Sequence, residues 1–157
     1  MGEKAPVSAS TEIAAPCDKV YAMVTDLERM GEWSPENKGG AWKGGATAAA
    51  PGAVFKGRNQ NGKKKWSGVV RVVDVTPPSR FAFTTVVGPM QIGTWSYDIE
   101  PTATGCKVTE SWVDRRNPVF ALPILGKAVT GVADRATHNK AAIETTLANL
   151  KKAAEGN

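Results

Sequence analysis

The chain has 157 residues, of which 41% are hydrophobic and 22% charged. That composition excludes a disordered or fibrous chain and fits one domain spanning 1–157 with a core of its own. No apolar run approaches the length of a membrane span, and the N-terminal MGEKAPVSAS lacks the apolar centre of a signal peptide. Cys17 and Cys106 do not make a disulfide framework, so a reducing cytoplasmic location is expected. The net charge of +5 is compatible with anionic ligands or surfaces and specifies neither.

Val7, Ala9, Thr11 and Ile13 alternate with polar residues, which predicts a first strand. Pro16 suits the first position of a helix, with Asp18 in its first turn where the helix dipole favours an acid. A second short helix is expected over Asp26–Met30, ended by Gly31 and Pro35. Asn37–Gly52, rich in Gly and Ala, reads as a mobile loop or a weak edge strand. Five strand-like runs follow: Ala53–Gln60, Lys64–Val75, Phe81–Val87, Gln91–Glu100 and the run from Cys106 to Trp112. Asn61-Gly62 joins the first two as a hairpin, and Pro77-Pro78, Gly88-Pro89 and Thr104-Gly105 turn the chain between the others. Connections this short predict an antiparallel meander. Phe81, Phe83, Thr85 and Val87 are expected on one face, as are Trp95, Tyr97 and Ile99, and Cys106, Val108, Glu110 and Trp112.

From Leu125 to Ala154 the period changes. Leu125, Val129, Val132, Ala136, Ile143, Leu147, Leu150 and Ala154 recur at gaps of three, four or seven, which predicts one helix about 45 Å long with a single apolar stripe. The stripe has a gap at Asn139 and Lys140. A polar side chain there needs a partner or water, so either the helix lifts off its support or a polar cavity begins. The expected architecture is α+β: a strongly curved antiparallel sheet wrapped around a long C-terminal helix, with two short helices after the first strand.

At this point the chain resembles the helix-grip (START-like) superfamily, in particular its polyketide cyclase/dehydrase and lipid-transport branch. The resemblance is carried by Ala15-Pro16, Val20, the run Asp26-Leu27-Glu28-Arg29-Met30-Gly31-Glu32-Trp33-Ser34-Pro35, the run from Pro78 to Phe83, Val108-Thr109-Glu110-Ser111-Trp112 and the long last helix. It implies a hydrophobic cavity between sheet and helix that holds lipids, sterols or polyketides. Some members of the superfamily are enzymes and many only bind.

Phe83, Trp95, Tyr97 and Trp112 are the leading wall residues, since large aromatic surfaces suit apolar or planar ligands; the plainer alternative is that they fill the core. Phe55 and Trp66 extend the same set. The resemblance makes Trp33 a gate at the cavity mouth, against simple packing on the sheet. Glu110 is the sharpest single candidate, because a carboxylate sharing a strand face with Cys106, Val108 and Trp112 points inward with them. Its expected partner is Arg58, Tyr97 or Asn139, the alternative being a structural ion pair with Arg58 or Arg71. His138 falls far from the apolar line and is expected in solvent, paired with Asp134. One histidine and two distant cysteines make no metal site, and no cofactor is implied. The Lys63-Lys64-Lys65 run with Arg58 and Trp66 suggests nucleic acid only weakly, since a charged hairpin tip is ordinarily just solvated. Asn117–Leu125, apolar but broken by two prolines, reads as a lid that includes Phe120, with Arg115 and Arg116 before it.

Together these residues favour binding of a hydrophobic or amphipathic small molecule, walled by aromatics and oriented by Glu110, Tyr97, Arg58 and Asn139. The rival is a polyketide cyclase/aromatase or dehydratase using Glu110 with Tyr97 as its acid–base pair. A third reading is a lipid shuttle making transient membrane contact through 117–125. Either a monomer or a homodimer is compatible with the sequence.

Overall fold

The computed structural model describes residues 5–156. Alternation makes strand β1 over Val7–Ile13 as expected. Pro16 stands just outside helix α1 (Cys17–Thr25) as its N-cap, one position earlier than the sequence suggested, and Asp18 lies in the first turn. The predicted second helix over 26–30 shrinks to turns and a single 3-10 turn at Met30–Glu32. Of the two readings for residues 37–52, the edge strand holds for β2 (Asn37–Lys43), and turns fill the remainder. The meander then runs through β3 (Val54–Asn61), β4 (Lys64–Thr76), β5 (Arg80–Val87), β6 (Met90–Thr102) and β7 (Gly105–Asp114). All seven strands form one antiparallel sheet in the order β1-β7-β6-β5-β4-β3-β2. Register shifts at Val72/Asp74 and Thr85/Val86 bend the central strands. In the second, Ile92 of β6 is the extra residue, and Phe83, Thr85 and Val87 of β5 all line one cavity, with Val87 58% exposed at the end of the strand.

The last helix is not continuous. Helix α2 (Pro123–Thr130) ends at Gly131, whose φ of 76° closes it in the left-handed conformation. Helix α3 (Arg135–Ala154) restarts after Asp134, whose carboxylate accepts a hydrogen bond from the Thr137 amide at 3.2 Å. The strut is therefore 20 residues, about 30 Å, and not 45 Å. Leu125, Val129 and Ala136 of the supposed stripe are exposed.

Helix α3 lies along β1 and β7, and α1 lies against β5 and β6. Ile143, Leu147, Leu150 and Ala154 join Val20, Val24, Leu27, Phe81, Ile99 and Val108 in a solid core. The unpaired edge of β1 is covered by lysines from the helix: Lys140 donates to the Ser8 carbonyl at 2.7 Å and Lys151 to that of Glu12 at 2.9 Å. This is the α+β helix-grip arrangement. No helix among the described residues is long and apolar enough to cross a membrane.

Candidate functional site

Away from that core, side chains do not fill the space between the sheet and the first turns of α3. A cavity of about 690 Å³ opens there. Three glycines explain why. Gly57 and Gly68 face each other across β3 and β4, Gly93 faces Thr85 across β5 and β6, and all three line the cavity. Where other strands place a side chain, these positions place none. Gly93 is also obligatory for its neighbour, because a Cβ there would run into the indole nitrogen of Trp112.

The walls are aromatic because inward positions of successive strands fall in one register. Phe83 of β5 pairs with Trp95 of β6, and Trp95 with Trp112 of β7. The two indoles sit 6.2 Å apart at 45°, a tilted packing that holds both rings. Phe55 and Trp66 continue the wall on β3 and β4, with Trp42 edge-on to Phe55 at 5.2 Å.

The lining also carries polar residues, among them Asn37, Asn59, Thr85 and Arg116, and two hydrogen-bonded polar groups stand out. The next pair along the same ladder is Tyr97 and Glu110. The Tyr97 hydroxyl donates to Glu110 Oε2 at 3.0 Å, and Glu110 Oε1 is buried without a partner. Burial pushes the Glu110 carboxyl up to about 8, with the Tyr97 hydrogen bond pulling the other way. At neutral pH the group is mostly a protonated acid. Burial raises Tyr97 well above the ordinary phenol range, and the neighbouring carboxyl adds to it. The pair can donate to a carbonyl or hydroxyl of a bound molecule, or deliver a proton as a general acid.

The second polar group lies at the start of α3. Asn139 is buried and accepts from Arg135 at 3.3 Å. Arg135 also bonds Glu36 at 2.7 Å and the Thr130 hydroxyl at 2.6 Å. His138 Nε2 meets the same Glu36 oxygen at 2.6 Å. The polar gap in the apolar stripe thus marks the cavity, and the helix does not lift off there. The mouth is rimmed by Phe120, Leu125 and Val129. Lys64 donates to the Ala128 carbonyl at 3.1 Å and Asn61 to that of Thr130 at 2.9 Å, which latches α2 to the β3–β4 hairpin.

Phe55, Trp66, Phe83, Trp95, Tyr97, Glu110, Trp112, Phe120 and Asn139 therefore converge on one cavity. Arg58 does not. Its strand parity is opposite to that of Phe55, and its guanidinium lies outside, donating to the Lys38 carbonyl at 3.0 Å. Trp33 is no gate: it is 1% exposed in the core, and Asn149 holds its carbonyl at 3.0 Å. His138 is bound to Glu36 and half-buried, while Asp134, its expected partner, caps α3 instead. The sequence reading missed Arg135, Glu36 and the three glycines. Gly93 is visible in principle, two residues before Trp95 on the face that Trp95, Tyr97 and Ile99 share, whereas Gly57 and Gly68 lie on runs with no assigned face.

Cys17 and Cys106 are free thiols, and burial pushes Cys106 up to about 11. A separate depression of about 500 Å³ lies between α1 and β2, lined by Tyr21, Trp42, Asp26 and Glu28, and it shares no residue with the Glu110 site.

No curated protein matches the chain. Among solved structures, the Polyketide_cyc-like protein Cgl2372 of Corynebacterium glutamicum is 28% identical over 96% of this chain and 91% of its own, with a TM-score of 0.64. Two di-domain ARO/CYC proteins share the fold. BexL, from the BE-7585A biosynthetic pathway, is 18% identical with a TM-score of 0.71. StfQ, from the steffimycin biosynthetic pathway, is 17% identical with a TM-score of 0.72. This chain covers half of each, and 98% and 96% of its own length are matched, respectively. The profile of the family described as polyketide cyclase / dehydrase and lipid transport matches residues 4–155, and the chain belongs to that family.

Proposed function

We propose that this protein binds an apolar or amphipathic small molecule between sheet and helix, with one oxygen-bearing group of the ligand set against Glu110 and Tyr97. The observation that carries this reading is a cavity of about 690 Å³ whose aromatic walls hold a buried, hydrogen-bonded carboxyl–phenol pair. Its volume suits a molecule of drug or lipid-fragment size. Burial of ligand surface, at about 25 cal/mol per Å², supplies the driving force, and the polar pair sets orientation. A carboxyl kept protonated donates to a carbonyl where a carboxylate would repel it.

The experiment is native mass spectrometry of the purified protein for co-purified small molecules, followed by titration of the released compound against tryptophan fluorescence. Trp95 and Trp112 line the cavity, so occupancy should quench or shift emission. A Gly93→Leu variant, with its side chain driven into the Trp112 ring, should lose the response. Retained binding in that variant would place the ligand elsewhere.

A second reading is supported by the raised Glu110 carboxyl and by the family description: a cyclase or dehydratase acting on a polyketide-like substrate, with Glu110 as general acid and Tyr97 positioning it. Glu110→Gln separates the two. It abolishes turnover in an enzyme and only weakens affinity in a binder.

A further inference from the structure

The cavity mouth opens onto a surface of unusual composition. Among the described residues nine large hydrophobic side chains stand exposed, and six of them fall between 119 and 129: Val119, Phe120, Leu122, Ile124, Leu125 and Val129. None of the residues of α2 is buried, and Ile124 is 75% exposed. A helix this apolar with no buried residue leaves an exposed patch that asks for a partner. Val69 and Val87, also exposed, carry the patch to the rim.

Within the two stretches that form it, the charges have one sign. The lid, 117–133, packs against the hairpin at 61–69, and together these stretches contain Lys63, Lys64, Lys65 and Lys127 and no Asp or Glu. All four lysines are exposed. Aliphatic side chains bordered by lysines differ from a protein-binding surface, where Trp, Tyr and Arg are enriched and Lys is depleted. A two-fold contact with a second copy through this face would set lysines against lysines. A bilayer with anionic headgroups accepts both components at once, the aliphatics entering the acyl boundary and the lysines meeting the headgroups.

We propose that α2 and the β3–β4 hairpin form a docking surface for an anionic membrane, seating the cavity mouth against the lipid. Phe120, Leu125 and Val129 belong to both the patch and the rim, so a docked lid places the opening where an apolar ligand partitions. Because Lys64 and Asn61 bond the carbonyl end of α2, helix and hairpin meet the surface as one unit.

The test is co-sedimentation of the full chain with unilamellar phosphatidylcholine vesicles, with and without phosphatidylserine, at low and high salt. Binding to the phosphatidylserine vesicles is expected at low salt, with release at high salt. Leu122→Gln with Ile124→Gln, and separately Lys63→Gln with Lys65→Gln, should each lower partitioning by about tenfold or more. None of these four residues lines the cavity, so circular dichroism and solution binding of a cavity ligand should be unchanged. No sedimentation with phosphatidylserine vesicles at low salt overturns the proposal, as does equal binding by wild type and both variants. A wild-type dimer that dissociates in the Leu122→Gln/Ile124→Gln variant, without vesicle binding, assigns the face to a second copy and overturns it as well. Vesicle binding is read without a cavity ligand, so its failure leaves the small-molecule proposal standing.

Discussion

The two ends of α3 lie over the same sheet and do opposite things. Toward the C-terminus, Ile143, Leu147, Leu150 and Ala154 are each 2% exposed or less and share a filled core with Phe81, Ile99 and Val108. Toward the N-terminus, Arg135, Asn139 and Ala142 face a hollow. Strand alternation is the same at both ends; what differs is the size of the inward residue. Glycines at 57, 68 and 93 leave volume that the rigid aromatic ladder keeps open, because Phe83, Trp95 and Trp112 brace one another across three strands. A grip fold thus becomes a container by omitting side chains at one end of a core that is complete at the other.

Truncating one aromatic at each end of the helix separates the filled half from the hollow one. Phe81→Ala, in the filled half, is expected to lower the unfolding free energy by about 3–5 kcal/mol, the transfer loss plus a new cavity. Trp66→Ala, at the half-buried wall of the hollow, removes a side chain that already borders a void. It should cost about 1–2 kcal/mol at most and weaken ligand binding. Urea denaturation of both variants reads the difference, and equal costs would mean that the hollow end is packed as tightly as the core.

The polar pair sharpens the same contrast, because a carboxyl is held where the other end holds only hydrocarbon. In the folded protein the Glu110 carboxyl is pushed up to about 8 from an ordinary value of 4.5. Between those values the native state keeps a proton that the unfolded chain releases, so stability falls as pH rises across the window. The slope approaches about 1.4 kcal/mol per pH unit and levels off above the folded value. Glu110→Gln, with nothing to ionise, should lose that dependence and gain stability relative to wild type toward pH 8. Parallel pH profiles for the two proteins would show that Glu110 ionises freely in the fold.

Much of this was legible in the chain. Period-two alternation and turn pairs located the strands, and the Asn139 gap marked where the cavity starts, because a polar group on an apolar stripe needs a polar surrounding. Two kinds of feature escaped. Pairings made by distant segments, such as Glu36 with His138 and Arg135, leave no local pattern, so His138 looked like a solvent residue. Coincident phase misled as well: Leu125 and Val129 fall on the line of the α3 stripe although a turn separates them from it. That turn had its own signals in Gly131 and Asp134, which the strong period overrode. Arg58 was an error of parity, since Phe55 inward already places residue 58 outward.

Gly131 also distinguishes lid from strut. Its φ of 76° suits glycine, and an added Cβ would stand 3.3 Å from Asn61 Nδ2 and 3.4 Å from Lys64 Cγ, the two side chains that latch α2. Gly131→Ala therefore combines backbone strain with pressure on the latch. A global loss of about 1 kcal/mol is expected from the left-handed conformation alone. Because α2 buries none of its residues while α3 is anchored at both ends, the strain should be relieved by loosening the lid and not by moving the strut. Amide hydrogen exchange checks this: residues 123–130 should exchange faster in the variant, with Ile143–Leu150 unchanged. Acceleration spread evenly over both helices would show that lid and strut open together, as one cooperative unit.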